Sequence, residues 1–272
     1  MNKVLLILDG LQVPGYLMDA AANIGKMANC HIHAIFLNKA PIDPEYNYFF
    51  PNDLILVDNP LRGENIAAEN SEIISATIQT FKDVSDLAGL SYTIDERNDY
   101  SLDELLELTA FSDLLLADAK SNFYEYLLSD LLTDSHCPVL LTKQTLEAPG
   151  KLVLAYDGSV SSIYAMRMFT YLFPQWKDVP LQVVYVSDHD ITTLPEEKQV
   201  LPWLSLHYST VETKVITGNR VQELANIVNA DTSPKVVIMG AYGRKALSRL
   251  FHKSLSKAVI DTSNAAAFIT HV

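Results

Sequence analysis

The sequence predicts an α/β protein made of two tandem open parallel five-stranded sheets with helices on both faces. Three observations carry that prediction. Short apolar runs alternate with longer amphipathic segments along the whole chain, the order of βαβ crossovers, which make strands parallel and place helices over the sheet. The pattern runs twice, because Lys3–Gly10 (KVLLILDG) and Lys151–Gly158 (KLVLAYDG) share four of eight positions and both end in Asp-Gly. The length of 272 residues at 49% hydrophobic content is enough to bury two cores. The expected domains are 1–146 and 151–272, joined by a linker over 147–150.

In the first half, Val4–Leu8 reads as a buried strand and Pro14–Asn29 as a helix, with Pro14 suited to a first turn. His31–Asn38 is the second strand. Pro41–Pro60, rich in Pro, Asn and Asp, is an ordered excursion whose Tyr46, Tyr48, Phe49 and Phe50 offer a surface to a protein partner. A long helix covers Arg62–Ala88 and the third strand is Ser91–Glu96. Ser101 with Glu104 makes a capping box that starts a helix to Ala110. Asp113–Ala117, a helix over Phe123–Leu132, and Pro138–Thr142 complete the half.

The second half repeats the order with trims. Strands are expected at Leu152–Tyr156, Leu181–Val186, Val211–Ile216, Val236–Met239 and Ala267–His271. Helices are expected at Ser161–Phe173, Arg220–Asn229 and Ala246–Asp261, with a shortened helical or irregular stretch over Pro195–Tyr208.

Composition excludes several functions. No apolar run reaches the roughly 18 residues that span a bilayer. The opening MNKVLLILDG has no small-residue cleavage site and reads as a strand, so no membrane association is expected. Cys30 and Cys137 match no metal or redox spacing, which fits a reducing cytoplasm. The net charge of −13 opposes nucleic-acid binding. That charge is uneven. Residues 1–150 carry 8 Lys/Arg against 23 Asp/Glu, or −15, and residues 151–272 carry 12 against 10, or +2. An anionic ligand is expected in the second half.

The stretch 235–257 points the same way. Gly240 and Gly243 follow an apolar strand and precede a helical pattern, so backbone N–H groups and a helix N-terminus of about half a positive charge can face a ligand. Lys245, Arg249, Lys253 and Lys257 fall at successive i+4 positions, and 241–260 contains no Asp or Glu. Like charges at that spacing oppose the helix by a few tenths of a kcal/mol per pair. A solvated basic face, a complement to an acidic neighbour and an anion-facing stripe are the open readings. In open α/β sheets ligands bind beyond the carboxyl ends of strands, where Asp157-Gly158-Ser159, Asp188-His189-Asp190 and Gly240–Gly243 gather. The first half offers Asp9-Gly10 and Asp118-Ala119-Lys120, has no glycine from Tyr92 to Gly150, and has a shortened turn before its Phe123 helix.

This order, with Asp-Gly-Ser after the first strand and Met-Gly-x-x-Gly after the fourth, resembles the universal stress protein family over nearly the whole chain. The resemblance implies a Rossmann-like fold of the adenine nucleotide alpha hydrolase type. Many family members bind ATP through G-x2-G-x9-G-[ST]. Gly240 and Gly243 match that pattern and so does Ser254, but Lys253 stands where the third glycine belongs. The resemblance places Asp157 at the ribose or a Mg²⁺ ion, Val184 or Val186 near adenine, and Met239 beside it. It places Gly240, Gly243, Ser254 and Ser256 on phosphates. Lys253 either blocks this site or adds a charge to it, and Tyr156 is bulky beside the expected base pocket. Family domains pair through their last strands, which implies an internal pseudo-dimer through Pro138–Thr142 and Ala267–His271, and a homodimer beyond it.

Other constellations carry less. His31 and His33 share one strand face, with Cys30 the only adjacent third ligand, and read as packed strand histidines. Ser159, Ser161 and Ser162 lack a nucleophile elbow and read as helix caps. Leu201-Pro202-Trp203 reads as a lid or a packing element. No acid/base pair or nucleophile set supports an enzyme. Three functions stand: a regulatory module binding ATP or another anion in its second half, a nucleotide-free protein acting through protein contacts, and a slow ATPase.

Overall fold

The computed structural model describes residues 1–37, 60–95, 97, 100–119, 131–132, 134–241 and 265–271, without the side chains of 60–69, 241 and 271. Chain order is β1 (Lys3–Asp9), α1 (Gly15–Ala28), β2 (His31–Leu37), α2 (Pro60–Ala88), β3 (Ser91–Asp95), α3 (Leu102–Ala110), β4 (Leu114–Asp118) and β5 (Val139–Thr142). It continues with β6 (Lys151–Tyr156), α4 (Val160–Leu172), a 3₁₀ turn (Pro174–Trp176), β7 (Leu181–Ser187), α5 (Glu197–Ser205), β8 (Val211–Thr217), α6 (Arg220–Val228), β9 (Lys235–Ala241) and β10 (Ala265–His271). The expected aromatic excursion at Tyr46–Phe50, most of the Phe123 helix and the Ala246–Asp261 helix lie outside the described residues.

Each half keeps the expected parallel five-strand order, and the two half-sheets join through their last strands, the pairing expected of Pro138–Thr142 and Ala267–His271. Among the described residues a single ten-stranded sheet runs β3-β2-β1-β4-β5-β10-β9-β6-β7-β8. The junction is antiparallel, with Phe268 opposite Leu140 and Ala267 opposite Leu141. The reason is edge chemistry. β5 and most of β10 are apolar and fully buried, and each would otherwise expose a row of unpaired backbone groups.

Helices cover both faces, as strands buried on both sides require. One face packs Leu17 and Ile24 of α1, Phe81 of α2, Phe169 of α4 and Leu204 of α5 against β-strand residues. The other packs Leu105 of α3 and Leu224 of α6. Beneath β10, Phe169 meets Phe268 edge-on at 5.0 Å and Phe173 stacks on Trp176 at 4.6 Å, contacts worth about 0.5–1.5 kcal/mol each beyond burial. Polar ties also cross between the halves. Gln175 Nε2 donates to Met27 O at 3.0 Å, and Gln144 Nε2 donates to Lys235 O at 3.1 Å.

Local signals explain the element ends. The Ser101/Glu104 capping box is present at α3. Ser159 caps α4, accepting from Ser162 N–H at 3.1 Å. Pro14, expected in the first turn of α1, instead stands one position earlier with extended backbone, and Asn29 closes the helix in the left-handed conformation. Lys235 opens β9 as a buried cation, and Nζ donates to the carbonyl oxygens of Asp231 (3.0 Å) and Ser233 (3.1 Å) and to the Asp231 carboxylate (2.5 Å). Leu201 and Trp203 rest on the core of the α1 face, so Leu201-Pro202-Trp203 is a packing element inside α5.

Candidate functional site

In each half the strand order reverses beside the first strand, between β1 and β4 and between β6 and β9. These are the switch points where an open sheet leaves a crevice.

The second crevice opens around the β6–α4 turn. Asp157 Oδ1 accepts from Ser159 N–H at 3.0 Å, an Asx turn that leads into the capped helix. Gly158 takes φ +79, a left-handed conformation that glycine adopts without steric cost. Across the sheet, Ala155 of β6 lies between Val184 of β7 and Met239 of β9 in register. These side chains therefore share a face and form an apolar row, with Val186 two residues further along β7 on the same face. Val184, Val186 and Met239 are each at most 7% exposed. The structure thus brings Val184, Val186 and Met239 together beside the strand that leads to Asp157. Gly243, Lys253, Ser254 and Ser256 lie outside the described residues.

Gly240 has a role that motif reading missed. A Cβ there would stand 2.3 Å from Ser161 C and 2.5 Å from Ser162 N, the backbone of the first turn of α4. Its lack of a side chain lets the helix N-terminus sit directly on the end of β9. The sequence signal was available in part, since a glycine opposite a Ser-rich cap marks close backbone approach. Which backbone approaches is a tertiary fact.

Tyr156 closes the other side. It is buried, and its Oη donates to Pro195 O at 3.1 Å. The Pro195 ring also covers Gly158, where a Cβ would meet Pro195 Cβ at 3.0 Å. Burial, then the negative charges of Glu196 and Asp157, push the Tyr156 hydroxyl above its ordinary pKa, so it remains a donor. Asp188, His189 and Asp190 are exposed on the adjoining loop.

The first crevice differs in charge. Asp9 and Asp118 end adjacent strands and are both nearly buried. Asp9 Oδ1 accepts from Leu11 N–H at 3.0 Å, the same turn that Asp157 makes, while Tyr16 Oη donates to Asp118 Oδ1 at 2.6 Å. Burial raises the Asp9 carboxyl above the ordinary carboxylate range; the Leu11 and Gln12 N–H groups pull it back and the Asp118 charge raises it further. Tyr16 is raised by burial and by its bond to Asp118. Two carboxylates at this position repel phosphate.

His31 is tied to the neighbouring strand. His31 bonds Ser91 Oγ through Nδ1 at 2.8 Å and Thr93 Oγ1 through Nε2 at 3.0 Å. No group of three or more His, Cys, Asp or Glu side chains able to hold a metal occurs among the described residues.

Comparison with known proteins rests on structure alone. No sequence-family model matches the chain, and no curated protein sequence does. A universal stress protein from Archaeoglobus fulgidus DSM 4304 superimposes with a TM-score of 0.71 at 15% identity, over 98% of this chain and 96% of that one. The universal stress protein UspA from Lactobacillus plantarum matches 46% of this chain and 99% of its own, with a TM-score of 0.32 and 14% identity. The chain has the α/β fold of the Archaeoglobus protein along nearly its whole length. No helix among the described residues is long and apolar enough to cross a membrane.

Proposed function

We propose that this chain is a stress-response regulatory module of universal-stress-protein type that binds an adenine nucleotide in its second half only. The contrast between the two crevices carries the reading. The second pairs an apolar row (Val184, Ala155, Met239) with the Asp157 turn and a helix N-terminus, while the first presents Asp9 and Asp118. Anions favour a helix N-terminus by about 0.3–1 kcal/mol and avoid buried carboxylates. The phosphates then fall to Gly243, Lys253, Ser254 and Ser256, and the base to Val184, Val186 and Met239. Mg²⁺ would travel with the nucleotide's own phosphates, with Asp157 as the protein acid at the end of β6. Such a module works in the cytoplasm by changing its protein contacts with nucleotide state, and it needs no turnover to do so.

One observation favours a second reading, a nucleotide-free protein that acts through protein contacts. Pro195 is tied to Tyr156 and lies on Gly158, so the strap it belongs to covers one wall of the crevice. Calorimetric titration of ATP with Mg²⁺ separates the two. Micromolar binding that Gly243→Asp abolishes supports the nucleotide site. Absence of heat in the parent, with heat restored in Tyr156→Phe or Pro195→Gly, supports the covered crevice instead.

A further inference from the structure

Among the described residues, β8 is the outermost strand of the second half, an edge with an unusual sequence. It pairs there with β7 alone, through Leu181↔Val211 to Ser187↔Thr217. Leu181 N–H donates to Thr210 O at 3.0 Å and Gly218 N–H donates to Ser187 O at 2.9 Å. In a parallel ladder the groups facing the neighbour recur at every second residue. Even-numbered positions from 210 to 218 therefore face β7, and Val211, Thr213, Val215 and Thr217 turn their N–H and C=O groups outward. Glu212, Thr213 and Lys214 are exposed. Such an edge is a template for another strand.

Register and charge identify that strand. When two copies of VETKVIT run antiparallel about a two-fold axis through Thr213, outward backbone groups meet outward groups. Thr213 faces Thr213, and Val211 faces Val215 of the second copy, as hydrogen-bonded pairs. Glu212 then lies opposite Lys214 of the second copy, and Lys214 opposite its Glu212, both in the non-hydrogen-bonded positions where Cα atoms approach to about 4.5 Å. Opposite charges so placed contribute roughly 0.2–1 kcal/mol per pair. Moving the axis by one residue in either direction sets Lys214 against Lys214 or Glu212 against Glu212, and like charges directly opposite are destabilising. The sequence thus supports one self-complementary register and opposes its two neighbours.

The rest of the fold agrees. Glu212 approaches Lys151 Nζ at 3.7 Å across β7, so its carboxylate lies on the sheet face that Lys214 of the second copy shares, and that Lys214 would compete with Lys151 for it. The sheet order sets β8 at the end remote from the acidic residues 1–150, and the half that carries β8 has a net charge of only +2. Repulsion between the acidic halves is screened over about 8 Å at physiological salt. The opposite edge, β3, reads SYTID and has no cation to set against Asp95 in any register on itself.

We propose that β8 is a self-recognition edge through which two copies of this chain join antiparallel about Thr213, with reciprocal Glu212–Lys214 pairs. The test is solution mass by sedimentation or light scattering, on the full chain at micromolar concentration. The parent is expected near twice 30.3 kDa. Lys214→Glu, which places acid against acid twice, is expected at the single-chain mass, and so is Thr213→Pro, which removes an outward N–H that β7 does not use. The double exchange Glu212→Lys with Lys214→Glu restores opposite charges and is expected to return the dimer. Circular dichroism and thermal unfolding establish that each variant is folded. A monomeric parent overturns the proposal, as does a dimer that persists in Lys214→Glu. A folded double exchange that stays monomeric overturns the Thr213 register.

Discussion

Replacing Gly240 with alanine puts a methyl group 2.3 Å from Ser161 C, 2.4 Å from Ser161 O and 2.5 Å from Ser162 N. Ordinary van der Waals contact for a Cβ begins near 3.4 Å, so the first turn of α4 must retreat by about 1 Å. The obstructing atoms are backbone, held by the Ser159 cap and by the Phe169 packing beneath β10, and no rotamer change relieves them. Overpacking of this kind costs about 1–3 kcal/mol, and the upper end applies where backbone must move. For a chain of this size about 3 kcal/mol lowers Tm by about 6–12 °C. The assay is urea and thermal unfolding without any ligand, beside Gly150→Ala, whose new Cβ lies 3.4 Å from Ser233 Cβ and which should stay within about 0.5 kcal/mol of the parent. If Gly240→Ala also stays within that margin, the glycine does not serve helix docking, and the second crevice is not built on the close approach of α4 to β9.

Two further outcomes test the electrostatics. The Asp9 carboxyl, raised by burial above its ordinary 3.8, makes the native state bind more protons than the unfolded chain, so stability falls as pH climbs from 3.8 through the raised native value and stays lowered above it. Asp9→Asn keeps an oxygen for Leu11 N–H and removes the charge facing Asp118, so its Tm should exceed the parent's at pH 7 and converge with it near pH 3.8; a lower Tm at pH 7 would contradict this. At α3, Arg97 chiefly, with the Ser101 backbone and hydroxyl, holds the Glu104 carboxyl at about 2 against an ordinary 4.5. That contribution to stability is present above 4.5 and is lost as pH falls toward 2. In Arg97→Ala an NMR titration of Glu104 should move up toward 4.5, and an unmoved midpoint would assign the shift to the Ser101 cap alone.

Much of the fold was legible because it follows local rules. Period, turn residues and caps located all ten strands to within two residues, and the Ser101/Glu104 box and the Ser159 cap follow from two or three adjacent residues. The candidate site was less legible. The family resemblance named Val184, Val186 and Met239, but their meeting across Ala155 depends on a register between strands more than 25 residues apart in sequence. The Pro195 strap gave no local signal, since nothing in Thr193-Leu194-Pro195 announces that a tyrosine 39 positions earlier will bond its carbonyl.

The sequence by itself determined the α/β alternation, the two-fold recurrence of Asp-Gly after a first strand, and the acidic character of one half against the near neutrality of the other. These are properties of short windows and of composition, and no distant contact is needed to read them. Tertiary structure alone decided the antiparallel register in which β5 and β10 meet, that Gly240 yields its side chain to the backbone of α4, and that β8 is left, among the described strands, as an edge with odd-numbered groups outward. Each of these depends on which apolar edge finds a partner and on the phase of a ladder. A one-residue slip in that phase exchanges every inward and outward group, and only the folded chain fixes it.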